Sequence, residues 1–124
     1  MGAGEKRLEW MGASLADVTA FPGAARQEAG YQLGRVQLGG MPTDFKPMPD
    51  VGSGTYEIRI RVDEGGTVQY RVLFVAKFEE AIYVLHAFQK TTETTSKRHK
   101  EVAAARYGEV LQLRRELAQR KGSR

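Results

Sequence analysis

Between Thr55 and Lys90 the chain alternates apolar and polar residues. From Thr55 to Val62, the side chains of Tyr56, Ile58, Ile60 and Val62 interleave with Thr55, Glu57, Arg59 and Arg61. That period of two predicts a strand with one apolar and one charged face. Thr67–Ala76 repeats it, with Val68, Tyr70, Val72 and Phe74 on one side and Gln69 and Arg71 on the other. A third run ending at Lys90 completes a three-stranded antiparallel meander. Apolar faces coincide in the first hairpin only if partner numbers sum to an even value, for instance Glu57 opposite Arg71 and Arg59 opposite Gln69. The loop is then three or five residues long, with Gly65 and Gly66 free to take positive φ. A four-residue loop at Lys77–Glu80 sets Arg71 opposite His86 and brings Lys90 near Thr67. One face of the predicted meander carries Glu57, Arg59, Arg61, Gln69, Arg71, His86 and Lys90. The other carries Tyr56, Ile58, Ile60, Tyr70, Val72, Phe74, Tyr83 and Leu85, and needs helices over it.

The flanking sequence supplies those helices. Glu5–Met11, with Leu8 and Trp10 at alternate positions, reads as a first strand that Gly12 ends. Ser14 and Asp17 have capping-box spacing, and Leu15, Val18 and Phe21 mark a short helix. Pro22 suits the first turn of a second helix, whose Ala25, Ala29, Leu33 and Val36 recur at helical spacing to about Leu38, before Gly39-Gly40. Ala25, Ala29 and Gly30 allow close approach to the sheet. Met41–Gly54 is rich in proline and glycine and reads as a loop that brings Lys46 to the edge of the basic face. Thr91–Thr95 is a connector, and Ser96 caps a basic C-terminal helix over residues 96–121. Its stripe of Val102, Ala103, Val110, Leu113 and Leu117 is thin, and Gly108 costs it about 1 kcal/mol relative to alanine. Such a stripe either packs on the edge of the domain or awaits a partner. The expected architecture is a single α+β domain over residues 1–124. In it, a small antiparallel sheet of about four strands is covered on one face by two N-terminal helices.

Composition narrows the chemistry. The 124 residues include no cysteine, which excludes disulfides, thiol catalysis and zinc–thiolate sites. No apolar run approaches the ~20 residues of a membrane span, and Met1–Lys6 lacks the pattern of a secretory signal, so a cytoplasmic protein is expected. The net charge is +4, and residues 97–124 hold nine Lys/Arg against three Glu, so the remainder of the chain is slightly acidic. A basic segment beside a basic sheet face fits a nucleic-acid or ribosome binder. A solvated helix with a basic bias explains the tail equally well. An exposed sheet face can likewise be charged for no catalytic reason.

Three stretches stand out together: Tyr56-Glu57-Ile58-Arg59, Tyr70-Arg71-Val72-Leu73-Phe74, and Tyr83 through His86-Ala87-Phe88-Gln89-Lys90. With Trp10, Phe21-Pro22, Leu38-Gly39-Gly40, Lys46-Pro47 and Ser96-Lys97-Arg98, they resemble the RelE/HigB-like toxins of type II toxin–antitoxin systems, in the branch labelled phage-derived. The resemblance implies a RelE-like fold and a metal-independent endoribonuclease that cuts mRNA, commonly on the ribosome, and so inhibits translation. In that chemistry the ribose 2′-OH attacks the adjacent phosphate. The protein supplies a base, stabilisation of the charged phosphorane and an acid for the leaving oxygen.

Carried onto this chain, the resemblance makes Arg71, His86 and Lys90 the catalytic candidates. Arg71 would stabilise the transition state, because its planar fork donates two hydrogen bonds to phosphate. His86 would act as base or acid, since imidazole titrates near neutrality. Arg59, Arg61, Lys46 and Lys97 would bind RNA, and Glu57 would orient Arg71. Where several family members place a tyrosine after the last strand, this chain has Thr91-Thr92-Glu93, and its next tyrosine is Tyr107. No cofactor is implied, and His86 and His99 lack the spacing of metal ligands. The implied partners are a helix-turn-helix, HigA-like antitoxin, mRNA and the ribosome, with no membrane and with operator DNA reached only through the antitoxin. A noncatalytic module that keeps the fold and binds RNA, ribosome or antitoxin is the alternative.

Overall fold

A computed structural model of the chain describes residues 5–63, 65–91 and 95–122. The elements are β1 (Leu8–Trp10), α1 (Ser14–Thr19), α2 (Gly23–Gln37), β2 (Phe45–Pro47), β3 (Thr55–Asp63), β4 (Thr67–Val75), β5 (Ile82–Lys90) and α3 (Lys97–Gly122). The strands form one five-stranded sheet in the order β1-β5-β4-β3-β2. The α+β architecture and the β3–β5 meander are as expected, but there are five strands rather than about four. The additional one is β2, from the segment read as a loop, which pairs antiparallel with β3 at Phe45↔Ile58 and Pro47↔Tyr56. Proline is admissible there because β2 is an edge with no second neighbour. β1 pairs parallel with β5, Leu8 to Ile82 and Trp10 to Val84, so the sheet is not purely antiparallel.

Registers differ from expectation while face matching holds. In β3–β4 the partner sums are even, but Arg59 faces Arg71, Arg61 faces Gln69 and Glu57 faces Leu73. The strands run one residue further towards the turn, Asp63 pairing with Thr67, and Gly65 (φ 72°) and Gly66 (φ 139°) take the positive φ of the turn. In β4–β5, Leu73 faces His86, Arg71 faces Phe88 and Gln69 faces Lys90, in place of Arg71 opposite His86 and Lys90 near Thr67. Nearer the turn the pairing is Phe74↔Val84 and Val75↔Tyr83, which leaves Leu85 as an extra residue in a β-bulge. The connection also runs from Ala76 to Ala81, longer than the four residues expected.

The bulge redistributes β5 between the faces. Ile58, Ile60, Tyr70, Val72, Phe74, Ile82, Val84 and Ala87 pack against Val18, Phe21, Ala25, Ala29, Leu33 and Val36 of the N-terminal helices. Tyr83 and Leu85, expected on that side, lie instead with Leu73 and Val75 in a second core formed with Met48, Val51, Ala103, Tyr107 and Val110. Ala103, Val110 and Leu113 of the α3 stripe thus pack on the second sheet face while Leu117 stays exposed, and Tyr107 Oη fixes the helix by donating to the Ser53 carbonyl at 2.7 Å.

Local signals set the helix ends. Pro22 is the N-cap of α2. At its other end Gly39 (φ 94°) donates to the Val36 carbonyl and Gly40 to that of Arg35, the paired bonds of a Schellman stop. Ser96 Oγ accepts from the His99 amide at 3.3 Å, as a cap for α3 should. Ser14 departs from its expected role: it is buried inside α1 and its hydroxyl donates to the Val84 carbonyl at 3.0 Å, tying α1 to β5. Part of the Thr91–Thr95 connector, residues 92–94, lies outside the described residues. Among the described residues, no helix is long and apolar enough to cross a membrane.

Candidate active site

Residues paired across neighbouring strands project to the same face, so the registers lay the candidate side chains out in rows. One row runs Lys46–Glu57–Leu73–His86, the next Arg59–Arg71–Phe88, and the outermost Arg61–Gln69–Lys90. All of the residues expected on the polar face are there, together with Lys46. The face is not open along its whole length, however. α3 covers the part near Leu73, Val75, Tyr83 and Leu85, which leaves the outer rows at the hairpin end.

Arg71 is at the centre of these rows and closed to solvent, with 2 % of its surface exposed. Its Nε lies 3.3 Å from Glu57 Oε1, its Nη2 donates to Gln69 Oε1 at 2.8 Å and its Nη1 to the Tyr70 carbonyl at 3.2 Å. Glu57 is equally buried, and its other oxygen accepts from the Thr95 hydroxyl at 2.6 Å. Burial draws the Arg71 pKa below its ordinary value and the Glu57 carboxylate opposes that shift. An arginine so placed remains protonated. Glu57 does orient Arg71, but diagonally, since its direct cross-strand partner is Leu73.

At the end of the first row the bulge places His86 under the first turns of α3. His86 Nε2 lies 2.8 Å from His99 Nδ1. The His99 ring stacks on Phe88 at 3.7 Å between centroids with 9° between the planes. Arg106, two helical turns beyond His99, donates from Nη1 to the Leu85 carbonyl at 3.0 Å and approaches His86 Nδ1 at 3.4 Å. Burial, with His99 and Arg106 as neighbours, lowers the His86 pKa to about 4. Burial and then Arg98 lower that of His99. Both imidazoles are therefore neutral at physiological pH.

The pair borders a cleft of about 570 Å³ between the α1–α2 corner, at Asp17, Phe21 and Pro22, and the stretch of β5 from His86 to Gln89. β1 has already left the sheet at Trp10, opposite Val84, so this stretch of β5 has no β1 partner beside it. The remaining cations lie around the outer rows and the α3 N-terminus. Arg61 and Lys46 are exposed, and Lys90 is half-buried. Arg59 has Asp44 at 3.9 Å, and Lys97 is 90 % exposed with Glu101 4.0 Å away. The structure thus brings Arg59, Arg61, Lys90 and His86 to one face, keeps Arg71 beneath it, and leaves Lys46 and Lys97 at the rim. Among the described residues, no group of three or more His, Asp or Glu side chains is placed to hold a metal ion.

Sequence reasoning missed Thr95, His99 and Arg106 as members of this site. His99 and Arg106 are seven residues apart, the spacing of one helical face, and a helix that folds back after β5 turns that face onto the strand it has just left.

The family described as Phage derived protein Gp49-like matches residues 16–108, most of the 124-residue chain. The chain belongs to this family. Gp49-like proteins form a toxin–antitoxin-associated, RelE-like family. The Gp49-like match begins in α1 and ends within α3, so it contains the meander, the imidazole pair and Arg106. No curated protein matches the sequence.

Proposed function

We propose that this Gp49-like protein is the toxin of a type II toxin–antitoxin system, a metal-independent endoribonuclease of RelE/HigB type that cuts mRNA on the ribosome. The observation that carries the reading is the imidazole pair at the mouth of a cleft, beside two rows that hold Arg59, Arg61 and Lys90. RNA cleavage by its own 2′-OH needs cations for the flanking phosphates and hydrogen-bonding groups at the scissile one. In this reading Arg59 and Lys90 hold phosphates next to the cleft, with Arg61, Lys46 and Lys97 extending the track. His86 acts through its contact with His99. Arg71, buried against Glu57, supplies positive potential from below and fixes the strands that carry its neighbours. Its direct contact with phosphate would require the Glu57 pair to open.

The partner in this proposal is a helix-turn-helix, HigA-like antitoxin that occludes or distorts the face and contacts the operator DNA for both. Induced expression of the chain alone is expected to arrest growth, with primer extension on a reporter mRNA detecting new 5′ ends at codon positions. Single-turnover cleavage at saturating ribosomes then isolates the chemistry, because saturation hides an affinity loss. Under those conditions His99→Ala and His86→Ala should each slow cleavage by about 10²–10³-fold, the scale of one preorganised donor. Normal growth at high expression with intact transcripts would refute the reading.

The burial of Arg71 favours one competitor, a noncatalytic module that binds RNA, ribosome or antitoxin through the same face. That module would bind ribosomes or antitoxin tightly and leave mRNA uncut.

A further inference from the structure

The imidazole pair has a proton count that its neighbour settles. With His86 Nε2 and His99 Nδ1 2.8 Å apart, one proton occupies the contact between them. A neutral pair has one more proton, which can sit on His86 Nδ1 or on His99 Nε2. Arg106 Nη1 lies 3.4 Å from His86 Nδ1, and a guanidinium has donors but no acceptor. The nitrogen facing it must therefore offer a lone pair, and the second proton belongs on His99 Nε2. A cationic pair would need protons on both outer nitrogens, one of them aimed at the guanidinium.

We infer that Arg106 is a positioning residue: it locks both histidines as Nε2–H tautomers and keeps the pair uncharged, so that His99 Nε2–H serves the cleft as a neutral hydrogen-bond donor. Among the described residues, His99 Nε2 has no other partner, and the ring lines the cleft. Arg106 is itself held in place. Its Nη1 donates to Leu85, the residue the bulge adds to β5, and its guanidinium lies where a Cβ on Gly12 (φ 53°) would overlap it.

The other charged groups around the pair do not reverse the conclusion. Arg98 on α3 adds positive charge near His99. Asp17 on α1 lies across the cleft. On the sheet, Arg71 beside Phe88 is balanced by Glu57. The depressed pKa values of both histidines agree with this geometry.

This rests on the proposed function only for what the donor meets, a phosphate oxygen of bound RNA. An imidazolium is then not the acid of the reaction, and a neutral donor stabilises charge without titrating in the neutral range. The chain contains two histidines, so their ring signals can be followed by NMR without ambiguity of number. In the full chain, both rings should be uncharged at neutral pH, and ¹⁵N shifts should mark Nδ1 of both as unprotonated. A ring titrating near its ordinary value, or a protonated Nδ1 on His86, would overturn the inference whether or not any variant folds. Replacing the guanidinium, Arg106→Met, should raise the titration of the pair by about 1–2 units, the scale of removing a nearby like charge. The pH–rate profile of cleavage should be level near neutrality in the parent and gain an acidic limb in Arg106→Met. If the rings behave as stated but no RNA is cut, the proton arrangement stands and the ribonuclease reading falls.

Discussion

Arg71 and Glu57 show how a charge read as functional becomes structural once its surroundings are known. Each is nearly free of solvent, and Glu57 is the nearest opposite charge to Arg71, with Nε 3.3 Å from Oε1. Removing one partner strands the other, so Glu57→Gln should cost about 3–5 kcal/mol, whereas the apolar pair Glu57→Leu with Arg71→Met should recover most of that loss. Urea denaturation of the parent and the two variants measures both effects, and a Glu57→Gln protein of parental stability would contradict the burial. His86 gives a second expectation at this scale. Its folded pKa of about 4 lies below the ordinary 6.5, so the unfolded chain takes up the proton first. Stability should be level above about pH 6.5 and fall as pH drops towards 4, by an amount on the order of 2–3 kcal/mol. Glu80, held down to about 2 by Arg114, has its stabilising contribution in place above the ordinary value of 4.5, and loses it as the pH falls further towards 2. Urea midpoints taken in steps from about pH 7.5 to 4 test this, and His86→Gln should flatten the upper part of the curve.

Among the elements, α3 and the loop before β3 depend on each other through Tyr107 and Gly52. A Cβ on Gly52 would overlap the Tyr107 ring, so Gly52→Ala should displace α3 and destabilise by about 1–3 kcal/mol. Gly108, one residue on in the same helix, is exposed and has open space where a side chain would project, so Gly108→Ala should stabilise by about 1 kcal/mol. Thermal denaturation should move in opposite directions for the two. The meander and its faces were legible in the sequence because alternation is written directly into β3 and β4. The β5 bulge was not, because Ile82-Tyr83-Val84-Leu85 is apolar or aromatic at every position, so no alternation there marks an inserted residue, and the pairing with Leu73 and Phe74 reveals it. β2 was hidden by its prolines. Of the candidate site, the placement of Arg59, Arg61, Lys90 and His86 on one sheet face was legible. The half supplied by α3 depends on where that helix crosses the sheet, and the Thr95 hydroxyl that holds Glu57 beside Arg71 comes from the segment leading into it.

Over the whole molecule, positive charge is divided between the outer rows of the sheet and the far end of α3. The far end is partly committed, since Arg114 donates to Glu80 at 2.7 Å and lies over the Phe78 ring at 4.1 Å. Under the proposed function, RNA affinity should accordingly depend on the outer rows. Replacing Arg59 and Arg61 together by Gln should reduce the slope of log affinity against log salt by about 0.7 for each lost phosphate contact, while Arg115→Gln should leave it nearly unchanged. A titration of single-stranded RNA across salt concentrations compares them, and equal slopes in all three proteins would move the interface elsewhere. The sheet order has a further consequence, for the timing of folding. β1 is the first strand to be synthesised, yet it has no partner until β5, the last strand of the meander, has been made. Pairings so distant along the chain close slowly. His86 likewise waits for His99 and Arg106 from the helix that follows it. A nascent chain therefore lacks the completed cleft throughout most of its synthesis, and the cleft is finished only when α3 has docked.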